Sequence, residues 1–396
     1  MLRFGPGSQL PTGPASAAYG VVSLGAIFLV LGYLRRRRSL FSTSTPTATP
    51  AVPEAEKLIQ AYKCPLPVVN ITSLAGFNYR EMSPAKFRPF KPTYSLSMGA
   101  SPPDALGIES CSPNDLILLD RLYPSRISLR KRIIQTQPTE MILHSSPASI
   151  PAVAELYTFV LQKYLPVRFP THFMLSPSGT LFTNTITHDT HPIAPPPHTN
   201  PSDPAPALKI LATTIEEDLM ILLPDSNGLY SLAAFACCFP SGAAPEKRTG
   251  LTLDEIHHAP ASGDRLSASM NRLFTRLRPG LENAVRRFNW SITTDDRLFA
   301  LSGNHMYSDD EDDEPEDETV DPRNCRLRVE RQVLWKLPGS HAAVLTVKTY
   351  MYTLAEVKAE GLGEELARGV EGMGEEVGKY KKRCFWGKDV VEYLRS

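Results

Sequence analysis

Cys325 to Leu337 reads CRLRVERQVLWKL and Ala342 to Tyr352 reads AAVLTVKTYMY, with Pro338-Gly339-Ser340 between them. In the first stretch apolar and polar side chains alternate, which is the period of a half-buried strand. The Pro-Gly-Ser step marks a turn, and the second stretch is rich in the β-branched and aromatic residues that strands favour. Together they predict an antiparallel hairpin. Strand alternation puts Val329 and Arg331 on one face and Glu330 and Gln332 on the other.

Working outward, the apolar run Tyr230 to Phe239 follows a Ser226-Asn227-Gly228 turn, a second hairpin signal. Ala207 to Leu223 reads as an amphipathic helix ending in the run Met220 to Leu223. Asp264 to Leu277 places Leu266, Met270, Leu273, Phe274 and Leu277 at helical spacing. Leu354 to about Lys382 reads as one charged terminal helix. Helices packed on an antiparallel sheet make the fold class α+β.

The 396 residues carry 42 basic and 42 acidic side chains, and this zero net charge argues against a general nucleic-acid binder. The six cysteines include no CxxC pair, which excludes a zinc ribbon and a thioredoxin-like site. Cys237 and Cys238 lie in an apolar run and read as buried free thiols, a pattern suited to a reducing compartment.

At the N-terminus, Ala15 to Leu34 holds no charged residue and is followed at once by Arg35, Arg36, Arg37 and Arg38. About 20 apolar residues suffice for a membrane-spanning helix. The Arg cluster after it predicts a single-pass anchor over residues 1–38 with the C-terminal bulk facing the cytosol, in the endoplasmic reticulum or a mitochondrial membrane. Residues 39–54 are Ser/Thr/Pro-rich and read as a flexible linker, and residues 55–396 as the globular domain. Two stretches interrupt that domain: the proline-rich segment near 188–206 and the acidic run Asp309 to Glu318, within 305–322. Both are expected to be exposed loops. The sequons Asn70-Ile71-Thr72 and Asn289-Trp290-Ser291 are expected to stay unmodified in a cytosol-facing domain.

No nucleotide loop, HExxH or GxSxG motif is present. What stands out is an ordered series of short segments. They are the Arg88-Pro89-Phe90 to Met98-Gly99 block, Glu217-Asp218-Leu219, Cys238-Phe239-Pro240-Ser241 with Glu246-Lys247, Ile256-His257-His258-Ala259-Pro260, Arg287-Phe288-Asn289-Trp290, and Arg328-Val329-Glu330-Arg331-Gln332 to Leu337-Pro338. The series, from about Pro65 to Tyr352, resembles the haem-dependent oxidative N-demethylase-like family, whose fungal members are called HRQ family proteins. The family's IH-x-PVPG turn becomes IHHAPASG here, with Ala261 and Ser262 replacing its valine and second proline.

The resemblance implies a PAS-like sheet carrying a b-type haem, and oxidative N-demethylation of a small amine with dioxygen, releasing formaldehyde. It also implies electrons from flavin and iron–sulfur components. This chain has no clustered cysteines, so a separate reductase is the expected partner. Haem iron takes a neutral imidazole, for which His258 is the candidate and His257 the alternative. On an extended segment the two would point opposite ways. Arg331 is open to two readings: a partner for a haem propionate or an oxygen ligand, or a structural ion pair with a carboxylate such as Asp218. Glu217 and Asp218, at the end of a helix-like stretch, either recognise an ammonium substrate or pair with an arginine. Arg287 shares a parity with Asn289, leaving Phe288 and Trp290 on the other face. Trp290 either flanks the haem or fills the core. Two other functions stay open, a noncatalytic PAS-like haem or ligand sensor and a haem-less, membrane-tethered interaction protein.

Overall fold

In the computed structural model of the chain the described residues are 70–91, 107–197, 206–242, 244–258, 263–306 and 320–396, all within the unit Leu58–Ser396. In chain order the strands are β1 (Glu109–Ser110), β2 (Leu143–Ser145), β3 (Phe173–Leu175), β4 (Leu181–Asn184), β5 (Asp189–Pro192), β6 (Asp218–Pro224), β7 (Tyr230–Ala236), β8 (Gly280–Thr293), β9 (Arg326–Lys336) and β10 (Ala343–Thr353). One seven-stranded sheet runs β1-β8-β9-β10-β6-β7-β2, every pairing antiparallel, and β3-β4-β5 form a small sheet of their own.

The hairpin expected from Cys325 to Tyr352 is the centre of the large sheet. β9 and β10 pair without interruption from Arg326↔Thr353 to Lys336↔Ala343. The second predicted hairpin is β6–β7. Its turn is made by Asp225, whose carboxylate accepts from the amides of Asn227 at 2.8 Å and Leu229 at 2.9 Å, and by Gly228 at φ +79°, where a side chain would be strained.

The helices used below are α1 (Tyr123–Thr136), α2 (Ile150–Thr158), α3 (Pro206–Ala212), α4 (Leu253–His258), α5 (Gly263–Arg276), α6 (Leu354–Ala359), α7 (Gly363–Glu371), α8 (Glu375–Tyr380) and α9 (Arg383–Arg395). Alternation gives the sheet two faces. On the Arg331 face, Val333, Trp335, Val344, Leu219 and Ile221 meet Tyr123 and Ile127 of α1, Leu156 of α2 and Leu208 of α3. Further along the same face, Leu327, Val329, Tyr350 and Tyr352 pack on Leu366, Val370, Trp386 and Val390 of the C-terminal helices. On the Glu330 face, Leu222, Leu334 and Leu345 are covered by Leu253 of α4, Phe274 of α5 and Leu277 just after it. Each such apolar side chain, once buried, contributes about 1.5–3 kcal/mol, which holds these layers on the sheet.

Several expectations change. Ala207 to Leu223 is a helix to Ala212 and then a strand from Asp218. The Thr213 and Thr214 hydroxyls bond back to the Lys209 and Ile210 carbonyls and the helix stops there. The terminal helix is broken into three, at Gly361 (φ +74°) and around Gly372 to Gly374, and α9 follows it. Part of the proline-rich segment is strand β5, and residues 198–205 lie outside the described residues. So do the expected anchor and linker and the acidic run. Among the described residues no helix is long and apolar enough to cross a membrane.

Candidate functional site

Beyond Leu334 and Leu345 the Glu330 face turns from apolar to polar. Cross-strand pairing sets Arg287 beside Gln332, and Asn289 beside Glu330, which has Thr349 on its other side. Glu330 accepts from Asn289 Nδ2 at 3.3 Å and Gln332 Nε2 at 3.2 Å, and Arg328 Nε lies 3.6 Å away. Arg328 is itself fixed, donating to the carbonyls of Phe239 at 2.6 Å and Leu298 at 3.3 Å. Burial alone would raise the pKa of Glu330, but Arg328 and the two amides outweigh it, so the group is held below its usual range and stays ionised. Arg287, by contrast, has no ion pair among the described residues, and its buried Nε has no hydrogen-bond partner. Burial lowers its pKa, with Glu330 opposing.

A rim of three side chains closes one edge. His305 is 4% exposed and its Nδ1 lies 2.7 Å from the Ser241 carbonyl. A carbonyl only accepts, so Nδ1 carries the proton and Nε2 keeps its lone pair, buried and without a partner. Burial pushes its pKa down to about 4, so the ring is neutral at pH 7. Gly242, at φ +73°, makes the approach possible, because a Cβ there would sit 2.8 Å from the His305 amide nitrogen. The His305 ring stacks on Tyr380, and Lys381 next to it donates to the Trp290 carbonyl at 2.5 Å. Burial lowers the Lys381 pKa to about 8, with Glu330 opposing and Arg287 adding to the shift.

The Arg331 face carries charge at the same level of the sheet and buries it more deeply. Lys348, opposite Arg331 in register, is 2% exposed and reaches Glu216 at 2.8 Å, Asp120 at 3.3 Å and the Leu118 carbonyl at 2.6 Å. Arg331 donates to the Asp115 carbonyl and approaches Cys111 Sγ at 3.6 Å. Burial, with Asp120 and Glu217 adding to it, pushes Glu216 up to about 7 against the pull of Lys348.

The sequence-predicted residues are thus divided between the two faces. Arg287 lies on the Glu330 face, whereas Arg331 and Trp290 lie on the opposite one, so these three do not surround one ligand. Trp290 packs edge-on against Phe90 within the C-terminal core. Asp218 opens strand β6 and pairs not with Arg331 but with Arg130 at 2.6 Å, while accepting from the amides of Cys238 and Phe239. Glu217 is buried and accepts from the Leu118 amide at 3.2 Å. Asp218 is thus committed to the protein itself, whereas the second carboxylate oxygen of Glu217 is buried without a partner. His257 and His258 end α4, so their backbone is helical rather than extended, and their side chains lie outside what is described. Through Leu253 and Ile256 that helix covers the Glu330 face. The second sequon is closed, since Asn289 is turned to Glu330 within β8.

The motif residues therefore converge in part: Arg287, Asn289, Arg328, Glu330 and Gln332 share one face, Phe239 to Ser241 hold its rim, and α4 packs on the apolar end of the same face. A comparison with protein families matches residues 107–391, well over half of the chain, to the family described as haem-dependent oxidative N-demethylase, alpha subunit-like. The chain belongs to this family. The match leaves out the Arg88 block and takes in the C-terminal helices that supply Tyr380 and Lys381. Arg88 has a structural task instead, pairing with Glu360 at 2.8 Å.

For a haem-dependent oxidative N-demethylase-like chain, the Glu330 face fits the group the family name requires. It offers a partly buried guanidinium without an ion pair, a partly buried polar floor and, at its apolar end, a helix carrying two histidines on the same side of the sheet. Sequence alternation had separated Glu330 from Arg331 but had not singled it out. His305 and Lys381 carried no motif signal, because their loop and helix reach the sheet only in the folded chain.

Proposed function

We propose that this chain is a haem-dependent oxidative N-demethylase whose chemistry takes place on the Glu330 face of a PAS-like sheet. The convergence of Arg287, Asn289, Glu330 and Gln332 on the sheet face whose apolar end packs against the helix ending in His257-His258 carries this reading. Haem b bound there supplies an iron that activates dioxygen. Overall, a methylamine group, dioxygen, two electrons and two protons become the demethylated amine, formaldehyde and water. One oxygen atom goes to the methyl carbon as its C–N bond breaks, and the other leaves as water.

The chain's own residues bind and orient. His258 is the candidate iron ligand, with His257 as the alternative, and Arg287 is free to pair with a haem propionate. Glu330, kept ionised, offers its carboxylate to an alkylammonium and can take up its proton, while Asn289 and Gln332 fix the carboxylate's position. His305, neutral and close enough to feel the Glu330 charge, presents an acceptor at Nε2. Electrons come from a separate reductase, in keeping with six cysteines that form no cluster motif. Ala15 to Leu34, with Arg35 to Arg38 behind it, tethers the chain to a membrane and leaves the enzyme facing the cytosol.

Purified chain titrated with haem is expected to develop a saturable Soret band that His258→Ala removes and His257→Ala leaves in place. With a chemical reductant, oxygen and dimethylamine it is expected to release formaldehyde, and Glu330→Gln to slow that release about 10²–10³-fold, as when a preorganised charge is removed from an active site. A haem-loaded chain that produces no formaldehyde from any alkylamine would leave a sensor in place of an enzyme.

A further inference from the structure

We infer that a cavity on the Arg331 side of β10, distinct from the haem side, binds a small zwitterion bearing both a carboxylate and an ammonium group. β10 runs past the end of β6, since their pairing stops at Val347↔Asp218. Beside its free edge lies a cavity of about 470 Å³ lined by Asp120, Arg121, Arg126, Glu216, Lys348 and Tyr350, among others. That volume is within the range of small-molecule sites.

Three groups in it are left without partners. Arg126 makes no ion pair among the described residues, and its guanidinium lies over the ring of Phe239 at 5.7 Å. Glu216 is 5% exposed; its Oε2 is held by Lys348 at 2.8 Å, but its Oε1 is buried with no partner. The Tyr350 hydroxyl is likewise buried and unpartnered. A buried polar atom left unpaired is costly, so a site that keeps several is built for something that pairs them. Burial lowers the pKa of Arg126 while Glu216 and Asp120 oppose it, which places the guanidinium within reach of both negative charges yet bonded to neither.

The lining carries both signs. A simple anion would meet Asp120 and Glu216, and a simple cation would meet Arg121, Arg126 and Lys348. A ligand whose carboxylate faces Arg126 and whose ammonium faces Glu216 satisfies both. Nothing in this inference depends on haem.

The test is calorimetric titration of the full chain with ω-amino acids from glycine to 4-aminobutyrate, each beside the amine and the carboxylate of the same length. One of the amino acids is expected to saturate a single site at least about tenfold tighter than either half-molecule, the worth of a charged hydrogen bond. Arg126→Gln and Tyr350→Phe are expected to weaken that binding, and Glu330→Gln to leave it unchanged. Glu216→Gln serves the same purpose provided its circular dichroism matches wild type, and the other two variants decide the matter if it does not. The proposal is overturned if no amino acid saturates, if a half-molecule binds as tightly, if Arg126→Gln changes nothing, or if Glu330→Gln abolishes the binding.

Discussion

β8, β9 and β10 carry charge at the same level on both faces, and the two faces treat it in opposite ways. On the Arg331 face Lys348 and Arg331 are almost wholly enclosed, and the lysine has three oxygen partners. On the Glu330 face Arg287 has none among the described residues, and Asn289, Glu330 and Gln332 are partly rather than fully buried. Burying a charge is tolerable when it is paired, so the Lys348 cluster with Glu216 and Asp120 serves the fold, while Arg331 is held through one nitrogen by the Asp115 carbonyl. Leaving a charge uncommitted in an accessible, largely desolvated place is useful only if a ligand completes it, so the Glu330 face serves binding.

Substitutions on each side can break that contrast. The largest effect is expected from Asp218→Asn, which removes the partner of fully buried Arg130 and weakens the anchor of the Cys238 and Phe239 amides. A loss of about 3–5 kcal/mol in denaturant unfolding is the expected outcome. Lys348→Met should follow at about 3 kcal/mol, since it strands Glu216 and Asp120 together. Arg287→Met should change stability by less than about 1 kcal/mol while weakening haem uptake. If Arg287→Met proves as destabilising as Lys348→Met, the two faces do not differ as described.

Titration sharpens the same contrast. Glu216 has a folded pKa of about 7, above its ordinary 4.5, so the folded state binds more protons between those values. Its contribution to stability is therefore greatest at acidic pH and is lost as pH rises toward 7, by about 1–3 kcal/mol. Glu216→Gln should flatten that part of the stability curve. His305 behaves in the opposite sense: with a folded pKa near 4 against an ordinary 6.5, it is the unfolded chain that binds more protons between them. Its share, about 1–2 kcal/mol, is present above pH 6.5 and lost on acidification toward 4, and His305→Gln should remove it.

The central hairpin was legible because alternation from Arg326 to Lys336 is a property of consecutive residues, and the same parity placed Arg287 with Asn289. Glu217 and Asp218 were misread because an apolar helix and an apolar strand follow one another with no proline or glycine between them. The C-terminal segment kept its helical composition, but Gly361 and the Gly372 to Gly374 stretch broke it. What no local pattern shows is which residues meet across the sheet. Lys348 joins Glu216 and Asp120 because β10 pairs with β6 after a long excursion of the chain, and His305 and Lys381 come from a loop and a helix end that carry no periodicity.

The most direct test of haem on the open face is a Soret titration of the full chain with one substitution on each side. Tyr350→Phe removes an unpartnered hydroxyl from the Arg331 face, and Arg287→Met removes the uncommitted charge from the other. A saturable band that weakens in Arg287→Met and is unchanged in Tyr350→Phe is the predicted result. No saturable band, or a band lost in Tyr350→Phe and kept in Arg287→Met, would contradict it.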